Sequence, residues 1–583
     1  MKRLLQELKE YKASSIKAPL FMIGEVALEL SLPTLMAYVI DNGVMKGDMR
    51  TAVLMGLVML VVAFLSLLCG ALSAKNASYA SAGFVKNLRK AMFENIQRFS
   101  FRNVDRYSTA GLITRLMTDT TNVQNAYMMI LRMCVRAPMM LILAMVMTFT
   151  IHADLAVYFL YALIFLAVAL TLITVLSYPV FRRVFRKYDD LNASVQENIT
   201  NMRVVKAYVK EEAETKKFKS ASEKLYEMFC KAEKILVLNG PMMQLAMYAC
   251  IMAIGWFGAQ FVVGGSLTTG ELMSMFTYTR QLLMSLMMLS MVFVMVSIST
   301  ASAKRIVEVL EETSDIHNPA KPVYEIADGS IRFENVSFDY YTHEFDKDAD
   351  DAVLRNINLE IASGETIGIL GGTGSAKSTL VQLIPRLYDV QKGAVYVGGR
   401  NVKEYDLDTL RNEVAMVLQK NVLFSGTIKD NLRWGNDQAS DEEMIRACRL
   451  AQADEFISRF PDGYDTYIEQ GGSNVSGGQK QRLSIARAIV RHPQIYIYDD
   501  SFSALDFATD AKLRKALKGE VKDAIMMIVA QRVSTIMNAD QIVVLNEGRV
   551  VGQGTHSELL KTCQIYHEIA SSQLSEEELA YGK

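Results

Sequence analysis

The sequence predicts two domains of different class, an all-α six-helix transmembrane domain followed by an α/β domain. Three observations carry that expectation. Long uncharged apolar runs, with 29 of the 34 methionines, lie before residue 306. From about residue 310 the composition mixes charged and apolar residues as a soluble domain does. From Ile331 onward, short β-branched runs beginning IRFENVSFDY and LRNINLEI alternate with glycine-rich turns and helical patterns, the signature of an α/β domain.

Composition narrows the classes further. A chain of 583 residues that is 51% apolar and 21% charged, with 62 basic against 63 acidic side chains, is not a disordered chain, a small disulfide scaffold or a polycationic nucleic-acid binder. Cys69, Cys134, Cys230, Cys250, Cys448 and Cys563 are widely spaced, with neither C-x-x-C pairs nor histidines at zinc-site intervals, so a reducing, cytoplasm-facing protein is expected.

A helix rising about 1.5 Å per residue needs about 20 apolar residues to cross roughly 30 Å of hydrocarbon. Within a transmembrane domain of residues 1–310, spans are expected at about 18–40, 51–74, 126–151, 155–180, 237–263 and 277–303. Pro241 and the Gly264-Gly265 pair bound the fifth. The first is too long and too acidic, with Glu25 and Glu29, for a signal peptide, so it is read as a span. Basic residues collect before the first span and in two loops of about fifty residues, after the second and fourth spans, which places both termini and these loops in the cytoplasm. The two loops read as charged helices continuing the spans, with tight turns near Asp119 to Asn122 and Asn198 to Arg203. Charges inside spans (Glu25, Glu29, Arg132, Arg136, Arg280) read either as a substrate pathway or as pairs between helices, with Glu29 and Arg280 the stronger pathway candidates. Most methionines read as ordinary helix-contact filler, although thioethers can also line a surface that accepts many apolar ligands.

In the second half, ETIGIL enters Gly371, Gly372, Thr373, Gly374, Ser375, Ala376, Lys377, Ser378 and Thr379, and LVQLIPRLY follows. That is the strand, loop and helix of a phosphate-binding loop, whose backbone N–H groups and helix N-terminus favour phosphate. Lys377 is placed to reach β/γ-phosphates and Ser378 to ligate Mg²⁺, with Ala376 standing where the pattern has glycine. Downstream come Gln419 in VLQKNVLFSG, then VSGGQKQRLSIARAI from Val475, IYIYDD ending at Asp500, and SALD from Ser503 to Asp506.

This ordered set resembles the nucleotide-binding domain of ATP-binding cassette (ABC) proteins. With six preceding spans the whole chain is similar to a half-transporter of the exporter type. The resemblance implies an α/β P-loop NTPase nucleotide-binding domain over residues 329–583 and a linker at 311–328. It implies ATP and Mg²⁺, Tyr340 stacking on adenine, Asp499 and Gln419 beside the metal, and Ser476, Gly477, Gly478 and Gln479 closing over ATP held by the opposite subunit. Besides Ala376, two residues depart from the family pattern. Asp500 stands where a glutamate orients the attacking water, and Gln531 where a histidine meets the γ-phosphate. Asp500, Gln531, Ser476 and Gly478 are the candidate catalytic set.

Because phosphoryl transfer is catalysed mostly by positioning and charge stabilisation, this chain's own site is expected to bind ATP and hydrolyse it poorly. The intact signature then implies the degenerate subunit of a heterodimeric multidrug exporter in the bacterial plasma membrane. Its partner would be a second half-transporter, its surroundings membrane lipid, and its cargo a hydrophobic drug, lipid or peptide, with no nucleic acid. The alternatives are a homodimeric exporter and an ATP-binding regulatory subunit without transport turnover. Thr342 to Val353 reads as a solvated acidic loop, and SSQLSEEELAYGK as a polar tail.

Overall fold

The computed structural model describes residues 2–340, 352–503, 505–520, 523–575 and 579. The acidic insert and most of the polar tail lie outside these residues. The chain divides into two compact units, one of residues 1–97 and 109–312, the other of residues 98–108 and 313–583.

The first unit is entirely helical. Its long helices are Lys12–Tyr38, which passes into a π-helical turn Val39–Val44, Met49–Gln97, Thr120–Ile151, Ala153–Thr200, Glu211–Leu236 with Asn239–Val263, and Thr269–Glu311. Five stretches of the described residues are long and apolar enough to cross a membrane: Lys9–Val44, Met49–Gln97, Thr109–Ile151, Ala153–Ile173 and Glu211–Val263. Thr269–Glu311 is a further continuous helix of 43 residues that contains the stretch 277–303. On Met49–Gln97 large side chains such as Leu60, Phe64 and Leu67 are exposed, which is stable only against lipid. The helices continue well past the apolar stretches, to Gln97 and Thr200, as the charged loop sequences suggested.

The expected turn at Asp119 to Asn122 is not there. The chain runs from Thr109–Thr114 through a π-helical turn Arg115–Asp119 into Thr120–Ile151, and it reverses instead between Gln97 and Thr109. The polar run that suggested a turn is held inside the helix pair, because buried Asp119 accepts two bonds from Arg305 at 2.5 and 2.7 Å. The second turn falls at Asn201, before the short helix Met202–Ala207.

Without water, polar groups in the hydrocarbon layer bond to one another. Arg136 of the third long helix donates to Glu25 at 2.5 Å and to Glu29 at 2.7 Å, both on the first. The first and last long helices are tied by Tyr278, which donates to the Leu30 carbonyl at 2.7 Å, and by Ser274, which donates to that of Pro33 at 2.6 Å. Asp41 adds a tie by accepting from the Gly270 N–H at 2.9 Å. Gly270 permits this approach, since a Cβ there would stand 2.4 Å from the Ala37 carbonyl oxygen.

Among the described residues the second unit has twelve strands. These are β1 Ile331–Phe338, β2 Leu354–Ile361, β3 Thr366–Leu370, β4 Lys392–Val397, β5 Arg400–Asn401, β6 Val414–Val417, β7 Gly426–Thr427, β8 Tyr467–Ile468, β9 Ile495–Asp499, β10 Ile525–Val529, β11 Gln541–Asn546 and β12 Arg549–Gly554. One sheet has the order β2-β1-β4-β5 and is antiparallel; the other has the order β12-β11-β3-β10-β9-β6 and is parallel except at its β11–β12 edge. Alternate residues of the parallel strands enter different cores. Ile495, Ile497, Ile525 and Met527 face the antiparallel sheet's side, and Tyr496, Tyr498, Met526 and Ile528 the helical side. Burial on both faces is why these strands read as continuous apolar runs.

Removing the shared cation of the Arg136 cluster leaves two carboxylates without their partner. Arg136→Gln is expected to lower the stability of the detergent-solubilised protein by about 3–5 kcal/mol, read by thermal unfolding, and Glu25→Gln by less.

Candidate nucleotide site

The site is assembled by strand register. Val529 lies opposite both Asp499 and Ile369, and Val417 opposite Tyr498. The carboxyl ends of β3, β6, β9 and β10 therefore stop at one level, and the residues just beyond them, Gly371, Gln419, Asp500 and Gln531, emerge side by side. Ligands of open α/β sheets bind at such ends.

The loop after β3 wraps the start of the helix Lys377–Gln382. Gly371 is required by crowding, because a Cβ there would stand 2.2 Å from the Leu545 carbonyl oxygen. Ala376 takes φ 69° and ψ 25°, the left-handed conformation that explains why glycine is usual here. It fits by bending the backbone, at a cost in strain. Lys377 donates from Nζ to the carbonyls of Gly371 and Gly372 at 2.8 and 2.7 Å and to Ser375 Oγ at 3.3 Å. Burial pulls its ammonium below the ordinary lysine value, opposed by the charges of Asp500 and Asp499. Ser375 is buried, Thr373 and Gly374 are exposed, and a Cβ on Gly372 would meet open space.

Ser378 donates to Asp499 at 2.9 Å. Asp499 is buried, and that burial raises its carboxyl above the usual range, with the Asp500 charge adding and the Ser378 bond opposing. A hydroxyl beside a carboxylate is a hard-oxygen pair suited to Mg²⁺, which prefers one or two protein oxygens plus phosphate and water. The residues present therefore fit that ion.

Asp500 has φ 50°, and its backbone N–H donates to the Val529 carbonyl at 3.0 Å, which fixes its main chain at the strand end. Gln531 Nε2 donates to Asp500 Oδ2 at 3.0 Å and Gln419 Nε2 to the same oxygen at 3.5 Å. Both departures from the family pattern thus sit in one contact.

Tyr340 lies beside the loop. Its hydroxyl is 2.9 Å from Thr379 Oγ1, and its ring packs edge-on against Phe338 and Tyr388. Burial raises its phenol above the usual value. Tyr341 lies outside the described residues. Ser476 caps the helix Gly477–Val490 by accepting from Gln479 N at 3.3 Å while the Gln479 side chain accepts from Ser476 N at 2.9 Å. Gly477 is exposed and Gly478 half-buried, so the first turn of that helix is open.

Several neighbours carried no readable signal. Gln481 donates to the Asp500 carbonyl at 3.4 Å, linking the signature helix to the strand end. The helix Phe101–Tyr107, from the loop after the second expected span, belongs to this second unit. Arg102 donates to the Tyr340 carbonyl at 3.2 Å, and Asp105 accepts from the Tyr388 hydroxyl at 2.7 Å. Sequence periodicity marks none of these, since each depends on two distant segments meeting.

The fold and this constellation define a P-loop ATPase domain fused to a multi-pass membrane domain. The family model described as the ABC transporter transmembrane region matches residues 16–286, and that described as ABC transporter matches residues 354–503. The uncharacterized ABC transporter ATP-binding protein YfiB of Bacillus subtilis is 37% identical over 577 residues, covering 99% of each chain. An ATP-dependent lipid A-core flippase of Desulfotalea psychrophila is 30% identical over 567 residues, covering 96% of this chain and 97% of that protein. The solved structure of a bacterial Atm1-family ABC exporter with ATP bound matches with a TM-score of 0.81 at 25% identity, covering 97% of this chain and 99% of that one. The chain belongs to the ABC transporter family, with a transmembrane region and an ATPase domain of the ATP-driven exporter type. Proteins of this kind act as dimers.

The left-handed residue gives a direct test. Ala376→Gly is expected to stabilise the protein by about 0.5–1 kcal/mol, and Ala376→Val to destabilise it by more than that while weakening ATP binding, measured by thermal unfolding with and without nucleotide.

Proposed function

We propose that this chain is one half of a heterodimeric exporter in which its own ATP site is degenerate and its signature completes the competent site of a partner. The observation that carries this is the contact of Gln531 and Gln419 with Asp500. A general base needs its oxygens free to take a proton from water. Here one carboxylate oxygen accepts from two amides, and an amide in place of an imidazole cannot shuttle a proton. The intact capping box of Ser476 and Gln479, ahead of an open helix N-terminus, supports a working signature.

The chain's residues then divide the work. Lys377 and the N–H groups of the loop bind the β- and γ-phosphates, Tyr340 orients the adenine, and Ser378 with Asp499 holds Mg²⁺, which supplies charge neutralisation when bound. Gln419 joins the metal side of the site to Asp500. Ser476 presents its hydroxyl, and Gly477, Gly478 and Gln479 their backbone donors, to ATP held by the partner. Closure of two such interfacial sites turns the membrane cavity outward, and hydrolysis at the competent one resets it.

An expectation of six spans, with the excess of lysine and arginine in the longer loops, supports a cytoplasmic position for both termini and the ATPase domain at the cell membrane. The cargo is hydrophobic or amphiphilic, a class that includes lipids; the flippase relative supports a lipid-like cargo.

Steady-state ATP turnover in membrane vesicles tests the division of labour. With a partner present, Ser476→Ala is expected to reduce turnover by about 10²- to 10³-fold, the size of one lost transition-state donor, while Asp500→Asn leaves it nearly unchanged. Rapid turnover by this chain alone, abolished by Asp500→Asn, would make Asp500 the working base of a homodimer and overturn the reading.

A further inference from the structure

Gln531 sits in a link of three residues, Ala530 to Arg532, between β10 and the short helix Val533–Ile536. It is exposed, so its place depends on how the main chain around it is held. On the strand side the Ala530 N–H donates to the Ile369 carbonyl at 3.0 Å, which continues the β3–β10 ladder by one bond. On the helix side the neighbouring sequence offers nothing. The first N–H groups of a helix need an acceptor, and Arg532, at the N-cap position, makes no capping bond because its side chain has no acceptor.

The acceptor comes from a distant segment. Gln573 Oε1 accepts from the Val533 N–H at 2.8 Å, and Gln573 Nε2 donates to the Gln531 carbonyl at 2.9 Å. One side-chain amide thus grips the main chain on both sides of Arg532. Gln573 is the last residue of the helix Gln564–Gln573, in a stretch that reads from sequence as a polar tail. That helix is firmly seated, because Tyr566 and Ala570, on the same face as Gln573 by helical spacing, are fully buried. The Tyr566 hydroxyl lies 2.6 Å from His556 Nδ1, which ties this face to the helix His556–Thr562. The grip on the link is therefore mounted on a helix embedded in the core on the helical side of the parallel sheet.

An amide nitrogen carries two hydrogens. One of those on Gln531 Nε2 goes to Asp500 Oδ2 at 3.0 Å. The other is left for the nucleotide side of the link, where the family resemblance puts the γ-phosphate. ATP has that group and ADP lacks it, so a donor held at this spot separates the two nucleotides. A donor on a loose link would first have to lose its freedom, which weakens the bond it makes.

We propose that Gln573 is a positioning residue of this chain's own ATP site, and that its two bonds hold Gln531 where it meets the γ-phosphate and so set the preference for ATP over ADP. Gln573 touches no nucleotide and acts only through the main chain of residues 531 and 533. The inference rests on the reading of Gln531 as the residue facing the γ-phosphate, and adds what fixes it there.

The test uses the full-length chain with the subunit it assembles with, in lipid nanodiscs, photolabelled on ice with an azidoadenine analogue of ATP and Mg²⁺. Labelling of this chain is competed with ATP or with ADP. Gln573→Met, similar in length and without either bond, is expected to weaken ATP by about tenfold, the size of one bond to a charged group, and to leave ADP unchanged. Gln531→Ala is expected to do the same, and the double variant to lose no more than either alone. An unchanged preference for ATP in Gln573→Met overturns the proposal. So does a parallel loss of ATP and ADP, which makes Gln573 a structural cap, and so do additive losses in the double variant. Where Gln531→Ala keeps the preference, the placing of Gln531 at the γ-phosphate falls and the proposal with it. Where Gln531→Ala loses the preference and Gln573→Met does not, that placing stands and the role of Gln573 alone falls. None of these readouts uses ATP turnover, so a working rather than degenerate site shows separately in the turnover assay.

Discussion

The register between β3, β9 and β10 fixes where every nucleotide-facing residue can stand. Val529 pairs with Asp499 on one side and Ile369 on the other, so three strands end together. Their ends are rigid because both faces of the sheet are buried, with alternate side chains committed to separate cores. A one-residue slip of any strand would exchange those two sets of side chains, and the sheet cannot pay that penalty. The phosphate loop, Asp499, Asp500 and Gln531 are thus held within hydrogen-bond reach of one another before any nucleotide is involved.

On this rigid base, small chemical differences acquire large consequences. Asp500 is one methylene shorter than glutamate, and its backbone is held at φ 50° by the tie to Val529. The carboxylate cannot advance toward a substrate by relaxing its main chain. Gln531 and Gln419 then occupy its outward oxygen. On the proposed reading of a degenerate site, the shortened acid and the missing imidazole act together, because Asp500 and Gln531 share one hydrogen bond.

The membrane unit obeys a different constraint with a similar result. In hydrocarbon, polar groups have no water to fall back on, so Arg136 takes both nearby carboxylates and the first and last long helices stitch their polar groups together. Once those partners are assigned, Arg132 and Arg280 are the span charges with no hydrogen bond or ion pair among the described residues. Helix 269–311 spends one face on its neighbours and leaves the other open.

The sequence by itself determined the two domain classes, the phosphate loop, the signature and the two departures at Asp500 and Gln531. Each is a local pattern, a run of apolar residues or a short motif whose chemistry depends on neighbours along the chain. It also flagged Glu29 and Arg280 together, yet only the tertiary structure separated them, since Arg136 reaches Glu29 from a helix more than a hundred residues away. The polar run at Asp119 to Asn122 read as a turn because its partner Arg305 is equally remote. Ala376 is a further case: its identity was visible, but its left-handed backbone was not, because dihedral strain is set by the strand and helix on either side. The contact of Gln531 with Asp500 came from strand register, which no linear pattern encodes.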